Sequence, residues 1–188
     1  MRRQPGQWHP CALELYARVM PAPGEPSSLL ADPQELLSGY LDFFEDVTLR
    51  KIGGLTEDQL RVSAVPSGWT PLGLVKHLAC TERFWIRHIF LGEHVDFSWP
   101  GDPEAEWRIE ESDTTERIIA FYRGERAYTR RTLPGVAIGT PGRRSIRPEG
   151  GPPPTLGWIL FHLVQQAARH AGHLDIAREL TDGSVGSD

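Results

Sequence analysis

The stretch "FHLVQQAARHAGHLDIAREL", residues 161–180, predicts a helix with an unusual polar stripe. Residues three and four positions apart lie on one side of an α-helix. His162, Gln166, His170 and His173 therefore share one border of this helix, beside a core face of leucine and alanine. Side chains on such a border can face a cavity between helices. Two interpretations stay open: a half-exposed flank whose histidines are satisfied by hydrogen bonds, or a set of ligands.

Three further helices are predicted by the spacing of apolar residues and by their caps. Asp32-Pro33 and Thr70-Pro71 are each an N-cap residue followed by proline at the first helical position. With a third helix from near residue 113 and a fourth from Thr155, the predicted helices cover about 33–51, 71–91, 113–133 and 155–182. No stretch alternates with the period of a strand. The sequence thus predicts an all-α protein, a four-helix bundle.

The chain divides into a proline-rich, irregular arm at 1–32 with one short helix near 11–19, a bundle at 33–183 and a tail at 184–188. Two connections, 92–112 and 134–154, are long, and long loops in compact bundles are usually functional or crossover segments. The first connection has the length that helices two and three need to run parallel. The length of this connection therefore allows an up-down-down-up order of the four helices but does not prove it.

Composition excludes several classes of protein. A net charge of −5 gives no electrostatic footprint for nucleic acid. No apolar run approaches the roughly 20 residues that span a bilayer, and charged residues interrupt the N-terminal apolar stretch, which makes it a poor signal peptide. Two cysteines, Cys11 and Cys80, form no disulfide framework. We expect a cytoplasmic protein with no membrane and no nucleic-acid partner, and we interpret Cys80 as structural.

The second predicted helix carries an imidazole on its apolar side. In "PLGLVKHLACTERFWIRHIF", residues 71–90, His77 shares a side with Leu74 and Phe84. A buried imidazole without a partner costs a few kcal/mol. A metal held jointly with the fourth helix would supply that partner. His88 lies too far along the helix for the same centre, and we interpret it as a pocket or helix-end residue.

Two stretches resemble the signature helices of the DinB-like superfamily: "SGWTPLGLVKHLACTERFWIRHIFLGE", residues 67–93, and "TLGWILFHLVQQAARHAGHLDIARELTDG", residues 155–183. The branch they resemble is related to mycothiol- and bacillithiol-dependent S-transferases. The similarity covers about 33–183. It implies an up-down-down-up four-helix bundle, often a homodimer, that acts on a small-molecule substrate. It also implies a divalent metal (zinc, nickel or iron) bound by one histidine of helix two and an i, i+4 pair on helix four.

Carried over residue by residue, the resemblance implies His77, Gln166 and His170 as the metal ligands. Gln166 departs from the family, which has His or Glu there, and a carboxamide is a weaker ligand for zinc or nickel. The site is therefore weakened, or it recruits His162 or His173, or it has lost its metal. We predict His173 and His162 as the catalytic residues. For His173 a ligand, an outer partner, a proton carrier and a plain surface hydrogen bond all stay open.

By the resemblance, the metal would activate a low-molecular-weight thiol, mycothiol or a similar compound. Such a metal lowers the pKa of a bound thiol and makes it a nucleophile for S-transfer or for a thiol-assisted isomerisation. Trp69, Arg143 and Arg144 are predicted to bind the cofactor. The alternative for the two arginines is that the "GRRSIRPEG" turn at 142–150 is an ordinary solvated basic loop. The alternatives are a non-catalytic binding or interaction protein, and a metal-free catalyst in which histidines act as acid and base.

Overall fold

The computed structural model describes residues 24–96 and 101–185. These residues form α1 (Pro33–Ile52), a short α2 (Glu57–Arg61), α3 (Pro71–Glu82) with a π-helical continuation (Arg83–Phe90), α4 (Thr115–Thr132) and α5 (Leu156–Asp182). The described residues contain no strand, in agreement with the predicted all-α class. None of these helices has both the length and the apolarity that a bilayer span requires. The short helix predicted near 11–19 lies outside the described residues.

Three of the four long helices begin at the predicted caps, and α4 is capped by Thr114, just beyond its predicted start near 113. The side chain of Asp32 accepts a hydrogen bond from the backbone N–H of Glu35 at 2.8 Å, and Thr70 accepts from Gly73 at 3.0 Å. Each cap satisfies one of the backbone donors that a helix N-terminus leaves without a partner. Helix α5 ends at Gly183, whose φ of +75° is left-handed and suits glycine. The caps explain why sequence alone located these helices.

Two features of the helices were not predicted. Helix α2 begins with a capping box, in which Thr56 and Gln59 satisfy each other's backbone N–H groups. The end of the second predicted helix, Arg83–Phe90, is wound as a π-helix instead of an α-helix. Such wide turns are uncommon and often lie near functional sites.

Helices α3 and α4 run parallel. Lys76, near the start of α3, forms a salt bridge with Asp113, which precedes α4, at 2.7 Å. Arg87, near the end of the π-helical segment, lies over the ring of Tyr128 near the end of α4, 4.6 Å from its centroid. The starts of the two helices are thus in contact with each other, and so are their ends, which means that α3 and α4 point in the same direction. The long connection at 92–112 thus joins parallel helices.

Helices α1 and α5 also run parallel to each other and opposite to α3. Lys51, at the end of α1, forms a salt bridge with Asp175 in the second half of α5, and Leu41 packs in one cluster with residues of the first half of α5. Trp85, late in α3's continuation, contacts Trp158, early in α5. The order is therefore up-down-down-up, as the resemblance implied.

A network of charged side chains crosses the apolar core. Arg126 of α4 is only 2% exposed and donates to Glu82 of α3 at 2.8 Å and to Asp42 of α1 at 2.6 Å. Glu45 lies beside them, and burial raises the pKa of its carboxyl despite the neighbouring guanidinium groups. Buried charges are tolerated only when paired. This network therefore fixes the relative positions of α1, α3 and α4.

Candidate functional site

Three imidazoles meet between α3 and α5, and we call His77, His170 and His173 the histidine cluster. The rings of His77 and His170 lie edge to face, with centroids 5.0 Å apart. The Nδ1 atoms of His170 and His173 are 3.3 Å apart. Residue 170 follows the apolar periodicity of α5 and is buried, 6% exposed. The antiparallel crossing of the two helices therefore unites two of the three predicted metal ligands with one of the two predicted catalytic residues.

The connection before α4 supplies two residues to the cluster that sequence analysis missed. Glu106 Oε1 lies 2.9 Å from His77 Nδ1, and the indole of Trp107 stacks on His77 with centroids 3.8 Å apart and planes 14° apart. A carboxylate only accepts hydrogen bonds, so Nδ1 donates. The Nε2 atom of His77 is then an acceptor, and the Thr81 hydroxyl donates to it at 3.5 Å.

Residues 101–109, which we call the strap, are tied to the start of α3. Lys76 donates to the carbonyl oxygen of Arg108 at 2.8 Å and bonds Asp113 beyond the strap. Gly73 faces the strap so closely that an added Cβ would overlap the carbonyl oxygen of Trp107. A glycine is needed here because the two backbones approach each other. The strap is thus held where it positions Glu106 and Trp107.

Burial makes His170 a poor base. Its pKa is lowered from 6.5 to about 3, first by burial and then by the neighbouring His77, His173 and Arg169. The imidazole is therefore neutral at physiological pH and suits a role as ligand or hydrogen-bond partner. A general base works best with a pKa near the operating pH. His170 is accordingly a poor candidate for proton transfer, and the Glu106 carboxylate lies instead beside Nδ1 of His77.

A cavity of about 550 Å³ opens beside the cluster. Its walls are formed by Arg61, Ser67, Gly68, Trp69, Thr70, Glu104, Trp107, Arg108 and Ile109. Trp107 stacks on His77, and Trp69 lies 6.0 Å from His173 between ring centroids. Ligand pockets in proteins typically measure 300–1,000 Å³. The cavity is therefore large enough for a small molecule, and its walls border the histidine cluster through Trp69 and Trp107.

Comparison with known protein families identifies the family of the chain. A family model described as mycothiol-S-transferase matches residues 36–183. The chain belongs to the mycothiol-S-transferase family. That family is part of the DinB-like superfamily, as the two signature helices predicted. No curated protein matches the chain. Family membership supports a mycothiol-related transferase with a small-molecule substrate.

Gln166, where the resemblance implied a departure from the family's pattern, lies one turn before His170. It lines a void of about 10 Å³, together with Thr81, Glu82 and Arg126. A void of that size holds at most one water. Within the described part of the chain, no hydrogen bond joins Gln166 to the histidine cluster. Thr81 connects the two, because it lies at the void and next to His77 Nε2.

The donor atoms only partly fit a divalent metal. Zinc in proteins is typically bound by three or four His, Cys, Asp or Glu side chains, and no group of three such residues is placed to hold a metal in the described residues. Two features do match a metal site: the Nδ1 atoms of His77 and His170 are held by Glu106 and His173, as the outer nitrogens of metal-bound imidazoles usually are. The side chains of the histidine cluster thus do not form a complete metal site, and metal binding stays a prediction.

His162 lies apart from the cluster. Its ring stacks on Trp158 with planes 6° apart and centroids at 5.1 Å, and it also contacts Trp85 at 4.8 Å. Eight residues separate it from His170, about 12 Å along a helix. Burial lowers the pKa of His162. The structure therefore does not bring this residue to the other histidines, and its catalytic role stays a prediction without geometric support.

Arg143 and Arg144 also lie away from the cluster, at the other end of α3's continuation. Their backbone N–H groups donate to the carbonyl oxygen of Ile89, and the Arg144 guanidinium donates to that of Gly92 at 2.8 Å. Of the predicted cofactor-binding residues, only Trp69 lines the 550 Å³ cavity. Arg61 and Arg108 line it instead, and sequence reasoning missed them because only the folded strap brings them together.

Cys80 provides no competing nucleophile. Burial, followed by the charge of Glu106, raises the pKa of its thiol to about 11. Only the thiolate form of cysteine is a nucleophile, so this thiol is unreactive at neutral pH. The structural interpretation of Cys80 agrees with its environment.

Proposed function

We propose that the protein catalyses transfer of a low-molecular-weight thiol of the mycothiol type to an electrophilic small molecule. In this reaction the thiol sulfur forms a bond to carbon, a leaving group departs, and the thiol proton leaves with it. If the electrophile is an activated double bond, the thiol adds and later leaves, which isomerises the substrate. The observation that carries the proposal is the His77–Glu106 pair beside a cavity of ligand size.

The chemistry assigned to the residues follows from their contacts. A thiol that enters from the cavity takes the place of the Thr81 hydroxyl at Nε2 of His77 and gives its proton to that nitrogen, and the Glu106 carboxylate stabilises the imidazolium that forms. This is how an acidic residue supports a catalytic histidine in hydrolases. The resulting thiolate attacks the electrophile. Neutral His170 adds no positive charge of its own and orients His173 through their Nδ1 contact.

Metal dependence is a second part of the proposal, and it is supported by family resemblance and by the two held Nδ1 atoms. His77 and His170 would bind the metal through Nε2, with Gln166 as the third ligand. A bound divalent metal would supply a positive charge that lowers the pKa of the thiol. The proton transfer to His77 and a metal bound at the same nitrogen exclude each other. Metal titration therefore separates the two forms of the mechanism.

The test is a thiol-transfer assay with purified, untagged protein, mycothiol and a fluorogenic electrophile such as monobromobimane, with and without added zinc. His77→Gln should lower kcat/KM by at least about a hundredfold, the usual scale of general-base catalysis. His94→Gln, which changes an exposed imidazole on the neighbouring loop, serves as control and should leave the rate unchanged. Transfer that proceeds equally well in His77→Gln would refute the assignment.

The alternative is a non-catalytic protein that binds a small molecule, and the carboxamide at Gln166 favours it. Binding of mycothiol with no turnover of any electrophile, with or without metal, would establish that alternative. The same assay therefore decides between enzyme and binding protein.

We further propose a homodimer, formed through the outer face of α5. This face exposes large apolar side chains near both ends of α5, and exposed apolar surface commonly marks interfaces. They are Trp158, Phe161, Ile176 and Leu180. Sedimentation should give a dimer mass for the wild type and a monomer mass for Phe161→Lys; a monomeric wild type would exclude the dimer. Location in the cytoplasm rests on composition alone and stays a prediction.

A further inference from the structure

We propose that the void lined by Gln166 binds one water molecule, and that this water directs the hydroxyl proton of Thr81 to the histidine cluster. Gln166 is then a positioning residue that holds the water. Thr81 donates to Nε2 of His77 in the resting protein and to the thiolate sulfur during transfer. The inference rests on the metal-free form of the proposed function, because a metal at Nε2 would displace the hydroxyl.

The void has the size and the polar lining of a site for one water. It measures about 10 Å³ and lies among α1, α3, α4 and α5, and a cavity needs roughly this volume to hold one water. Cavities that stay empty in proteins have apolar walls. This void is lined partly by aliphatic side chains, but also by the polar groups of Thr81, Glu82, Arg126 and Gln166. Donors and acceptors on the same small wall therefore favour a bound water.

A buried donor beside the void has no hydrogen-bond partner. The side chain of Arg126 is only 2% exposed, and its two terminal nitrogens donate to Glu82 and Asp42. Its Nε makes no hydrogen bond among the described residues, and Glu45 lies 3.7 Å from it, too far for one. A buried donor without an acceptor destabilises the fold. A water in the void that Arg126 lines would supply this acceptor.

The chemistry of the lining groups sets the direction of each hydrogen bond of the water. A guanidinium only donates, so the water accepts from Arg126 and has both of its own hydrogens left for acceptors. Oε1 of Glu82 already accepts from Arg126 and Thr129, which leaves Oε2 as one acceptor and Oγ1 of Thr81 as the other. The carboxamide of Gln166 donates the fourth bond. A carboxylate at position 166 would instead bring a second negative charge next to Glu82.

The water determines where Thr81 sends its own proton. Because the water donates to Oγ1, the hydroxyl hydrogen points away from the void. Nε2 of His77 lies 3.5 Å from Oγ1 and receives it. When a thiol takes that place and gives its proton to Nε2, the same hydroxyl is close enough to donate to the sulfur. It then stabilises the thiolate without any change in the bonds of the water.

Crystallography and magnetic relaxation of the solvent test the water directly. In untagged protein without added metal, a high-resolution crystal structure should show one water bonded to Thr81, Arg126 and Gln166. Gln166→Met removes the polar end of the side chain, so relaxation dispersion should count one long-lived water fewer in this variant. Gln165→Met, the same change at an exposed neighbour, is the matched control. A dry void, or a metal at Nε2 of His77, would overturn the proposal.

Kinetics tests the hydroxyl. Thr81→Val should lower kcat about tenfold, the scale of one lost hydrogen bond, with a KM that does not rise, because the thiol no longer displaces the hydroxyl. Thr81→Ser keeps the hydroxyl and should keep the rate. Thr48→Val, at a buried threonine that does not line the void, is the control and should leave kcat unchanged. Since the water joins the two residues, adding Gln166→Met to Thr81→Val should lower kcat no further.

The outcomes separate this inference from the proposed function. Wild-type kcat in Thr81→Val, or losses that multiply in the double variant with Gln166→Met, would rule out the role of the water. Normal transfer by a protein with a dry void would leave the transferase standing without this site. A protein that holds the water and loses it in Gln166→Met, but turns over no thiol, would keep the water site and exclude the transferase.

Discussion

The rings of His77 and His170 meet edge to face, 5.0 Å between centroids, although they belong to helices that are not consecutive in the chain. Each ring has its Nδ1 atom engaged, by Glu106 in one case and by His173 in the other. The two imidazoles are therefore oriented by their surroundings before any ligand arrives.

If Gln166 is a metal ligand, Gln166→Glu places an anionic oxygen at nearly the same reach. Zinc or nickel should then bind on the order of tenfold more tightly, equivalent to roughly 1.4 kcal/mol, and His170→Ala should abolish binding. Titration of metal-stripped protein by calorimetry measures both, with His162→Ala as a control that should bind like wild type. Loss of the metal in His173→Ala, with no gain in Gln166→Glu, would move the ligand set to His173.

Glu106→Gln removes the anionic acceptor but keeps the shape of the side chain. We expect kcat to fall by about 10- to 100-fold, the scale observed when a carboxylate that supports an imidazole is lost, with a much smaller change in KM. Steady-state kinetics with mycothiol measures the two constants. Glu111→Gln, an exposed change in the same connection, provides the comparison. Equal rates for both variants would mean that Glu106 has no part in orienting His77.

Gly73→Ala should push the strap away from α3, because the new methyl group overlaps the carbonyl oxygen of Trp107. The expected loss of unfolding free energy is about 1–3 kcal/mol, the usual cost of overpacking. Gly124→Ala in α4 is the matched control: an added Cβ has nothing within 4 Å there, and the variant should gain roughly 0.5–1 kcal/mol. Urea denaturation measures both. A Gly73→Ala protein as stable as wild type would show that the strap is not held at this point.

The lowered pKa of His170 predicts how stability depends on pH. The unfolded chain binds a proton at this residue near pH 6.5, whereas the folded protein resists protonation until about pH 3. Protonation thus favours unfolding, so this contribution is complete above pH 6.5 and declines as the pH falls towards 3. His170→Asn should lose less stability than wild type between pH 7 and pH 4.5, measured as the shift in urea midpoint. His94→Gln is the control, and an identical shift in His170→Asn and wild type would argue against the assignment.

Sequence located the helices because caps and apolar periodicity are local signals, whereas the meeting of α3 with α5 was implied by the family resemblance. Asp32, Thr70 and Thr155 begin helices where predicted. Sequence did not locate Glu106 and Trp107, because a loop has no periodicity to show which of its side chains turns inward. Sequence also did not predict where Arg143 and Arg144 lie, because the proximity of two residues along the chain does not determine the position of their loop. Helix α2 was missed although it could have been predicted, because Thr56 and Gln59 form a capping box that the sequence shows.

The division between bundle and strap has a consequence for how such a protein diverges. The positions of His77 and His170 are set by the register of two packed helices, and altering them means disturbing the core. Glu106 and Trp107 arrive on a surface segment joined to the bundle by a few polar contacts, by the close approach at Gly73 and by the packing of Trp107 and Ile109 on the core. Exchange of that segment alters the support of the imidazole and one cavity wall together. Substitutions confined to this short segment would therefore change the support of His77 and one wall of the cavity while leaving the helix positions of the histidines as they are.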